Sequence, residues 1–305
     1  MRLAMNFDFE NVTVIEFGVG LDDSNGRTFA VIPVDADVQK ALSEMAQATW
    51  NAWHNCEDRP VKYEPSEKYG STACVYLPLA DEMASLVREL HEAANLPIDS
   101  NALDDPSKVF CYFARFTDNK HRRLTALRRA TQFKGVLKSR LIRLVSDSLK
   151  LVEDRVFKLD IDFDLLADSE NVYILRPSGF EFAGKLQQAI LDAVPKNIRA
   201  IQNDLSFLDL SPIEEYAKKH PRAARYLASI RSQMLAKNIN KNLLKQVCEQ
   251  TGVELTESNG KLIVSEGHEM AFLEVLDRRR YELNLVEGQP ERFKAGSRRR
   301  IDVKG

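Results

Sequence analysis

The chain has 305 residues, 44% hydrophobic and 29% charged, with a formal net charge of -2. This is the balance of an ordinary soluble globular protein, long enough for one large or two ordinary domains whose core needs no metal or disulfide staple. Cys56, Cys74, Cys111 and Cys248 form no C-x-x-C pair, so a zinc or redox motif has no local support and four reduced thiols are expected. Asp8 and Glu10 interrupt the N-terminal stretch too early for a signal peptide, and no run reaches the roughly 20 apolar residues of a membrane span. A soluble, cytoplasmic chain is expected.

In chain order, Val12–Val19 (VTVIEFGV) is rich in β-branched residues and reads as a strand, with Phe29–Val34 as its partner. Asn25-Gly26 between them is a hairpin signal, because both residues tolerate positive φ. Gly18-Val19-Gly20 has the look of a dinucleotide-binding glycine loop. Such a loop opens a helix so that its amides meet a pyrophosphate, whereas here the chain runs into a second strand. Asp35–Asn55 carries Val38, Leu42, Met45, Trp50 and Trp53 at helical spacing, an amphipathic helix with tryptophan packing anchors. Residues 55–71 are polar, contain two prolines and read as a loop. Ala73–Leu77 reads as a short strand, and Pro78 to about Asn95 as a helix with Leu79, Met83, Leu86, Val87 and Leu90 inward. The prolines and aspartates of 96–107 mark a linker, and the domain boundary is placed near residue 105.

Beyond the linker, Val109–Phe116 is a strongly apolar strand, while Leu124–Ala130 and Val136–Val145 fit helix and strand equally. Arg155–Asp164 alternates, and its Phe157, Leu159, Ile161 and Phe163 are expected to bury as one strand face. Val172–Leu175 pairs back. Phe180–Ile201 reads as a helix interrupted by Pro195. Ser211-Pro212-Ile213-Glu214 then opens a mostly helical region, with helices near 221–236 and 240–251 and a stop at Gly252. A hairpin turns at Asn259-Gly260, His268–Asp277 forms a short helix, and Phe293–Ile301 a last basic strand.

Asp160, Asp162 and Asp164 alternate, which in a strand would place three carboxylates on one face, able to hold a divalent ion or to remain solvated. The histidines are His54, His91, His121, His220 and His268, and no two stand at metal-ligand spacing. H-E-x-x-H, G-x-S-x-G and G-x-x-x-x-G-K-[ST] are all missing, so neither a catalytic residue nor a cofactor is assigned.

The densest signal is charge. Between Arg115 and Arg143 lie Lys120, Arg122, Arg123, Arg128, Arg129, Lys134, Lys138 and Arg140, with Asp118 as the only acid. Thr125, Thr131, Gln132 and Ser139 add neutral polar groups among them. Cations of this density neutralise phosphates with little sequence preference, although a solvated face is the bland alternative. Arg298, Arg299 and Arg300 form a second cluster, and Arg278, Arg279 and Arg280 a third.

From about Leu124 onward an ordered set of short motifs appears. LTALRRATQF is followed by Val156-Phe157-Lys158-Leu159-Asp160 and Phe163-Asp164-Leu165. Val172-Tyr173-Ile174, Phe180-Glu181, Phe272-Leu273-Glu274-Val275-Leu276, Tyr281 and the Phe293–Ile301 tail complete the set. In order and spacing this resembles the core of the Kiwa protein B family. The resemblance implies a DNA-binding antiphage effector that self-associates, as a dimer, and works with a small membrane partner, Kiwa protein A. It transfers no catalytic residues.

The expected fold is therefore α+β, with an N-terminal α/β region over 1–105 and a mixed sheet-and-helix core over 106–305. The expected function is binding of double-stranded DNA at the inner membrane, to which the partner recruits the chain, so that replication or transcription of invading DNA is blocked. Arg122, Arg123, Arg128 and Arg129 would lead, supported by Lys120, Lys134, Lys138, Arg140, Arg298, Arg299 and Arg300. The alternatives are a metal-dependent nuclease using Asp160, Asp162 or Asp164, and a non-catalytic scaffold for an acidic protein or anionic lipid.

Overall fold

Runs of β-branched and aromatic residues supply the strands of a large sheet, and amphipathic helices close both of its faces. The structure is a computed structural model and describes residues 3–24, 26–56, 59–70, 73–131, 142–145, 148–151, 157–284 and 289–296. The chain divides into two compact units, one of residues 1–63 and 69–186, the other of residues 64–68 and 187–305. Helices and mixed sheets make it α+β.

The first unit begins with β1 (Val12–Asp23), β2 (Gly26–Ile32), α1 (Ala36–His54), β3 (Val61–Lys62), β4 (Val75–Pro78) and α2 (Ser85–Glu92). It continues with β5 (Val109–Asp118), β6 (Arg123–Arg129), β7 (Ile142–Val145), β8 (Ser148–Leu151), β9 (Leu165–Ala167), β10 (Asn171–Ile174) and α3 (Pro177–Ala183). Eight strands form one sheet in the order β2-β1-β5-β6-β9-β10-β4-β3. Its pairs are antiparallel except β3 with β4, and β7 with β8 forms a separate hairpin.

Strand β5 lies inside this sheet and is buried without a break from Val109 to Phe116. One sheet face packs Tyr112, Ala114, Phe116, Leu124 and Ala126 with Leu42, Met45 and Trp53 of α1. The other packs Phe113, Leu127, Leu165 and Val172 with Val87 and Leu90 of α2 and Phe180 of α3. Helix α1 starts where Asp35 accepts a hydrogen bond from Val38 N at 2.9 Å, satisfying an otherwise orphan amide. Trp53 donates its indole N–H to Val75 O at 2.7 Å and stacks on Trp50, so the tryptophans are packing anchors. Gly18 and Gly20 lie within β1, where a Cβ would collide with the Phe113 ring and with Phe110 and Cys111. They make room for aromatic packing and form no nucleotide loop.

The second unit holds α4 (Gln187–Asp192), α5 (Val194–Asp204), β11 (Leu208–Asp209), α6 (Ser211–Ala217), α7 (Pro221–Ser232) and α8 (Lys241–Gln250). β12 (Leu255–Ser258), β13 (Lys261–Val264), α9 (Glu269–Leu276), β14 (Arg280–Leu283) and β15 (Glu291–Lys294) follow. Ile198, Ile213, Leu227, Leu244, Leu262 and Phe272 belong to its core. Residues 64–68 join this unit through Glu64, which pairs with Lys196 at 2.7 Å, and through Ser66 and Glu67, which hold Arg231. The Asn259-Gly260 turn is as expected, with both residues at positive φ.

Several expectations need correction. The boundary near residue 105 falls within the first unit, because β1 pairs with β5 across it. Of the Arg155–Asp164 strand, the described residues 157–164 form none. Phe163 is buried, but Ile161 is 84% exposed, since the segment curls around an arginine instead of lying on the sheet. The single helix over 180–201 is three helices, and Pro195 lies in the first turn of α5, where no amide donor is required. Thiols are not all free. α1 ends against the start of β4, and Cys56 and Cys74 form a disulfide with Cα atoms 6.0 Å apart, while Cys111 and Cys248 are free and buried.

Candidate nucleic-acid interface

The basic residues lie mainly on the β5–β6 hairpin, which turns at 119–122. A hairpin turn leaves backbone amides without ladder partners, and here one carboxylate collects them. Asp118 is fully buried. Its oxygens accept from Asp8 N at 3.2 Å, Lys120 N at 2.9 Å and Arg122 N at 2.9 Å. The Arg122 guanidinium closes the set, 2.6 Å away. Burial alone would raise the Asp118 pKa. Arg122 and these amides outweigh it and hold the carboxyl down at about 2. Arg122 is therefore half of an internal pair. Lys120 is exposed, as is His121 with φ 58°, at the tip of the turn.

Arg123 and Arg115 cap the C-terminus of α2, where the last carbonyls lack intrahelical partners. Arg123 donates to His91 O at 2.7 Å and Ala93 O at 2.9 Å. Arg115, buried in the sheet, donates to Ala93 O at 2.6 Å and pairs with Glu16 at 2.7 Å. A cleft of about 520 Å³ opens beside them, lined by Leu79, His91, Glu92, Thr117, His121, Arg123 and Ser169. His91 Nδ1 lies 3.0 Å from Thr125 Oγ1. Burial, then the nearby Arg123 charge, lower the His91 pKa, so the ring is neutral at pH 7. Sequence reasoning assigned no role to His91 or Ser169, because only the fold brings them beside the hairpin.

Arg128 points to the other side of the same strand and is enclosed by acids. It lies 3.1 Å from Asp160, 3.2 Å from Asp162 and 3.0 Å from Asp164, and only 14% of its side chain is exposed. Arg176 pairs with Asp162 at 2.7 Å and donates to Phe163 O at 2.9 Å. Tyr112 donates its hydroxyl to Asp160 at 2.8 Å. Gly179, at the start of α3, has no side chain, and a Cβ there would strike the Asp164 carboxylate. Burial raises the Asp164 pKa in spite of the Arg129 amide at 2.8 Å and the two guanidinium groups. For Arg128, burial works to lower the pKa, and Asp164 and Asp160 overcome it. The three aspartates thus converge, as their alternation suggested, but on a guanidinium. Among the described residues no group of histidine, cysteine or acidic side chains is arranged to hold a metal ion.

Arg129 lays its guanidinium 3.9 Å over the ring of Phe182. Among the described residues, Lys120, Arg123 and Arg129 form no salt bridge, whereas Arg122 and Arg128 are ion-paired. The Asp8 pKa is nevertheless lowered by its Asn11 hydrogen bond and, to a smaller extent, by the Lys120 charge. Lys134, Lys138, Arg140, Arg298, Arg299 and Arg300 lie outside the described residues. The third cluster is engaged locally. Arg279 pairs with Asp277 at 2.5 Å, Arg280 with Glu274 at 3.6 Å, and Arg278 donates to Leu235 O at 3.0 Å.

No helix among the described residues is long and apolar enough to cross a membrane. No curated protein and no solved structure matches the chain. A family model, Kiwa protein KwaB-like, matches residues 107–285. The match starts before Leu124, just ahead of β5, and stops short of the Phe293–Ile301 tail. Because it spans more than half of the 305 residues, the chain belongs to the Kiwa protein KwaB-like family and is a component of Kiwa antiphage defence.

Proposed function

We propose that the chain binds double-stranded DNA with little sequence preference and obstructs replication or transcription of invading DNA. The observation that carries this reading is the run of cations from Arg115 to Arg143, whose one acid, Asp118, is buried and satisfied internally. The exposed Lys120, with Arg123 and Arg129, leads the phosphate contacts. Arg128 serves the fold, since three carboxylates already surround it. Lys134, Lys138 and Arg140 extend the same run in sequence. Family membership points to a second Kiwa component as partner. In our reading this is the membrane protein Kiwa protein A, which brings a homodimer of this chain to the inner membrane.

The test is a titration of the full chain against labelled duplex DNA at several salt concentrations, with magnesium and then with chelator. Phosphate binding releases counterions, so affinity should fall steeply with salt, by a slope of about one per phosphate neutralised. Tight, salt-steep binding without cleavage supports the proposal. No binding at low salt, or cleavage abolished by chelator, overturns it, the second outcome in favour of a metal-dependent nuclease.

A further inference from the structure

In the second unit, the β14–β15 hairpin is turned inside out. Alternation places Arg280, Glu282, Arg292 and Lys294 on one face and Tyr281, Leu283, Phe293 and, at the open end opposite Leu283, Glu291 on the other, with Tyr281 directly opposite Phe293. The charged face is the one anchored to the protein. Lys294 and Arg280 pair with Glu274, which is 2% exposed on α9. Arg280 donates to Thr251 O at 3.0 Å and Arg292 to Gln250 O at 2.8 Å, at the end of α8. The apolar face is left outward, with Tyr281 42%, Leu283 41% and Phe293 39% exposed. A sheet with one wet face normally buries its apolar side, so the reversal marks a surface made for contact.

That surface continues onto α8. The helix buries Leu244 and Cys248 and turns Leu243 and Val247, one helical turn apart, outward at 61% and 38% exposure. Between helix and hairpin lies a groove of about 410 Å³, with Leu243, Val247 and Tyr281 in its lining and Lys237 and Arg278 among its polar groups. No acid lines it. Lys237 is exposed and has no ion pair among the described residues. A concave apolar floor whose rim carries Lys237 and Arg278 complements a helix with an apolar stripe flanked by acids. A bilayer would meet a protruding apolar edge rather than a concave groove.

We infer that this groove docks an acidic amphipathic helix of a partner protein. The inference is independent of the DNA reading, because it uses none of the hairpin cations at 120–129.

The experiment selects from a displayed library of randomised helical peptides of about five turns, roughly 18 residues, against the full chain. The best peptides are then measured by fluorescence anisotropy. Enrichment of sequences with apolar residues at i, i+3 or i+4 and acids alongside is expected. Leu243→Glu should weaken their binding about 30-fold, the scale of an interface hot spot, and Lys237→Glu about 5-fold. Both positions are exposed, so unchanged circular dichroism and thermal unfolding should show that the variants are folded. Absence of enrichment, enrichment of basic or non-periodic peptides, or binding untouched by Leu243→Glu would each overturn the inference. Two further results would do the same, by giving the groove to another occupant. One is adsorption to vesicles of anionic phospholipid that Leu243→Glu abolishes. The other is a dimer that the same substitution makes monomeric.

Discussion

Asp118 and Asp164 are both buried aspartates paired with an arginine of the β5–β6 hairpin, yet the fold treats them in opposite ways. Asp118 stands alone among donors, with three backbone amides and one guanidinium aimed at it, and its pKa falls to about 2. Asp164 shares Arg128 with Asp160 and Asp162, and burial raises its pKa. The difference teaches that the outcome turns on whether donors outweigh desolvation, as they do at Asp118 and do not at Asp164. Fixed amide dipoles stabilise a charge without bringing a like charge with them, whereas a shared guanidinium gathers acids that disfavour one another's ionisation. The first arrangement tightens a turn. The second is a lock centred on Arg128, with Arg176 as a second cation beside Asp162 and Asp164.

The largest expected effect follows from that lock. Arg128→Met should cost about 3–5 kcal/mol at neutral pH, because it removes the central cation of three buried carboxylates and leaves Asp160 with none. In urea unfolding the penalty should shrink as the solution is acidified, and a variant as stable as the parent would mean that the acids are not held by Arg128 at all. Asp118→Ala should cost less, about 2–3 kcal/mol, because the amides it frees at the turn can in part reach water. The acid limb of stability gives a smaller, signed test. A carboxyl with a depressed folded pKa contributes stability above its ordinary value of 3.8 that is lost as pH falls through about 2. Asp164 has the opposite sign, since its raised pKa makes its contribution decline as pH rises through that value. Asp118→Asn should therefore flatten the loss of stability between pH 4 and pH 2, and an unaltered acid limb would remove Asp118 from the account. Lys120→Glu should change stability by no more than about 0.5 kcal/mol, as expected for an exposed side chain. It should also lower DNA affinity at every sequence tested and reduce the salt slope by about one. If Arg128→Met lowered affinity without lowering stability, the division between folding and binding arginines would collapse.

Part of this was legible in the sequence. The helical spacing of Val38, Leu42, Met45, Trp50 and Trp53 gave α1, and Asn259-Gly260 gave a turn, because periodicity and tight turns depend on neighbouring residues. The charge of the basic run was equally plain. The destination of each charge was not, because the partners of Arg128 lie 32 to 36 residues away on a segment with no regular structure. Alternating Phe157, Leu159, Ile161 and Phe163 imitates a strand, while the acids between them are spaced to reach one guanidinium. The sheet order placing β4 beside β10 left no local mark either, since such pairing is decided by which faces α1, α2 and α3 cover.

The five residues 64–68 carry a consequence for how the chain is made. Ser66 leaves the ribosome 165 residues ahead of Arg231, its hydrogen-bonding partner in the second unit. A nascent chain must therefore hold this segment unsatisfied through most of its synthesis, in exchange for a closure that waits for the last third of the message. A gene cut at codon 187 would deliver a C-terminal product without the piece that binds Lys196 and Arg231. Recombination between relatives is accordingly expected to exchange the two units together or to fail.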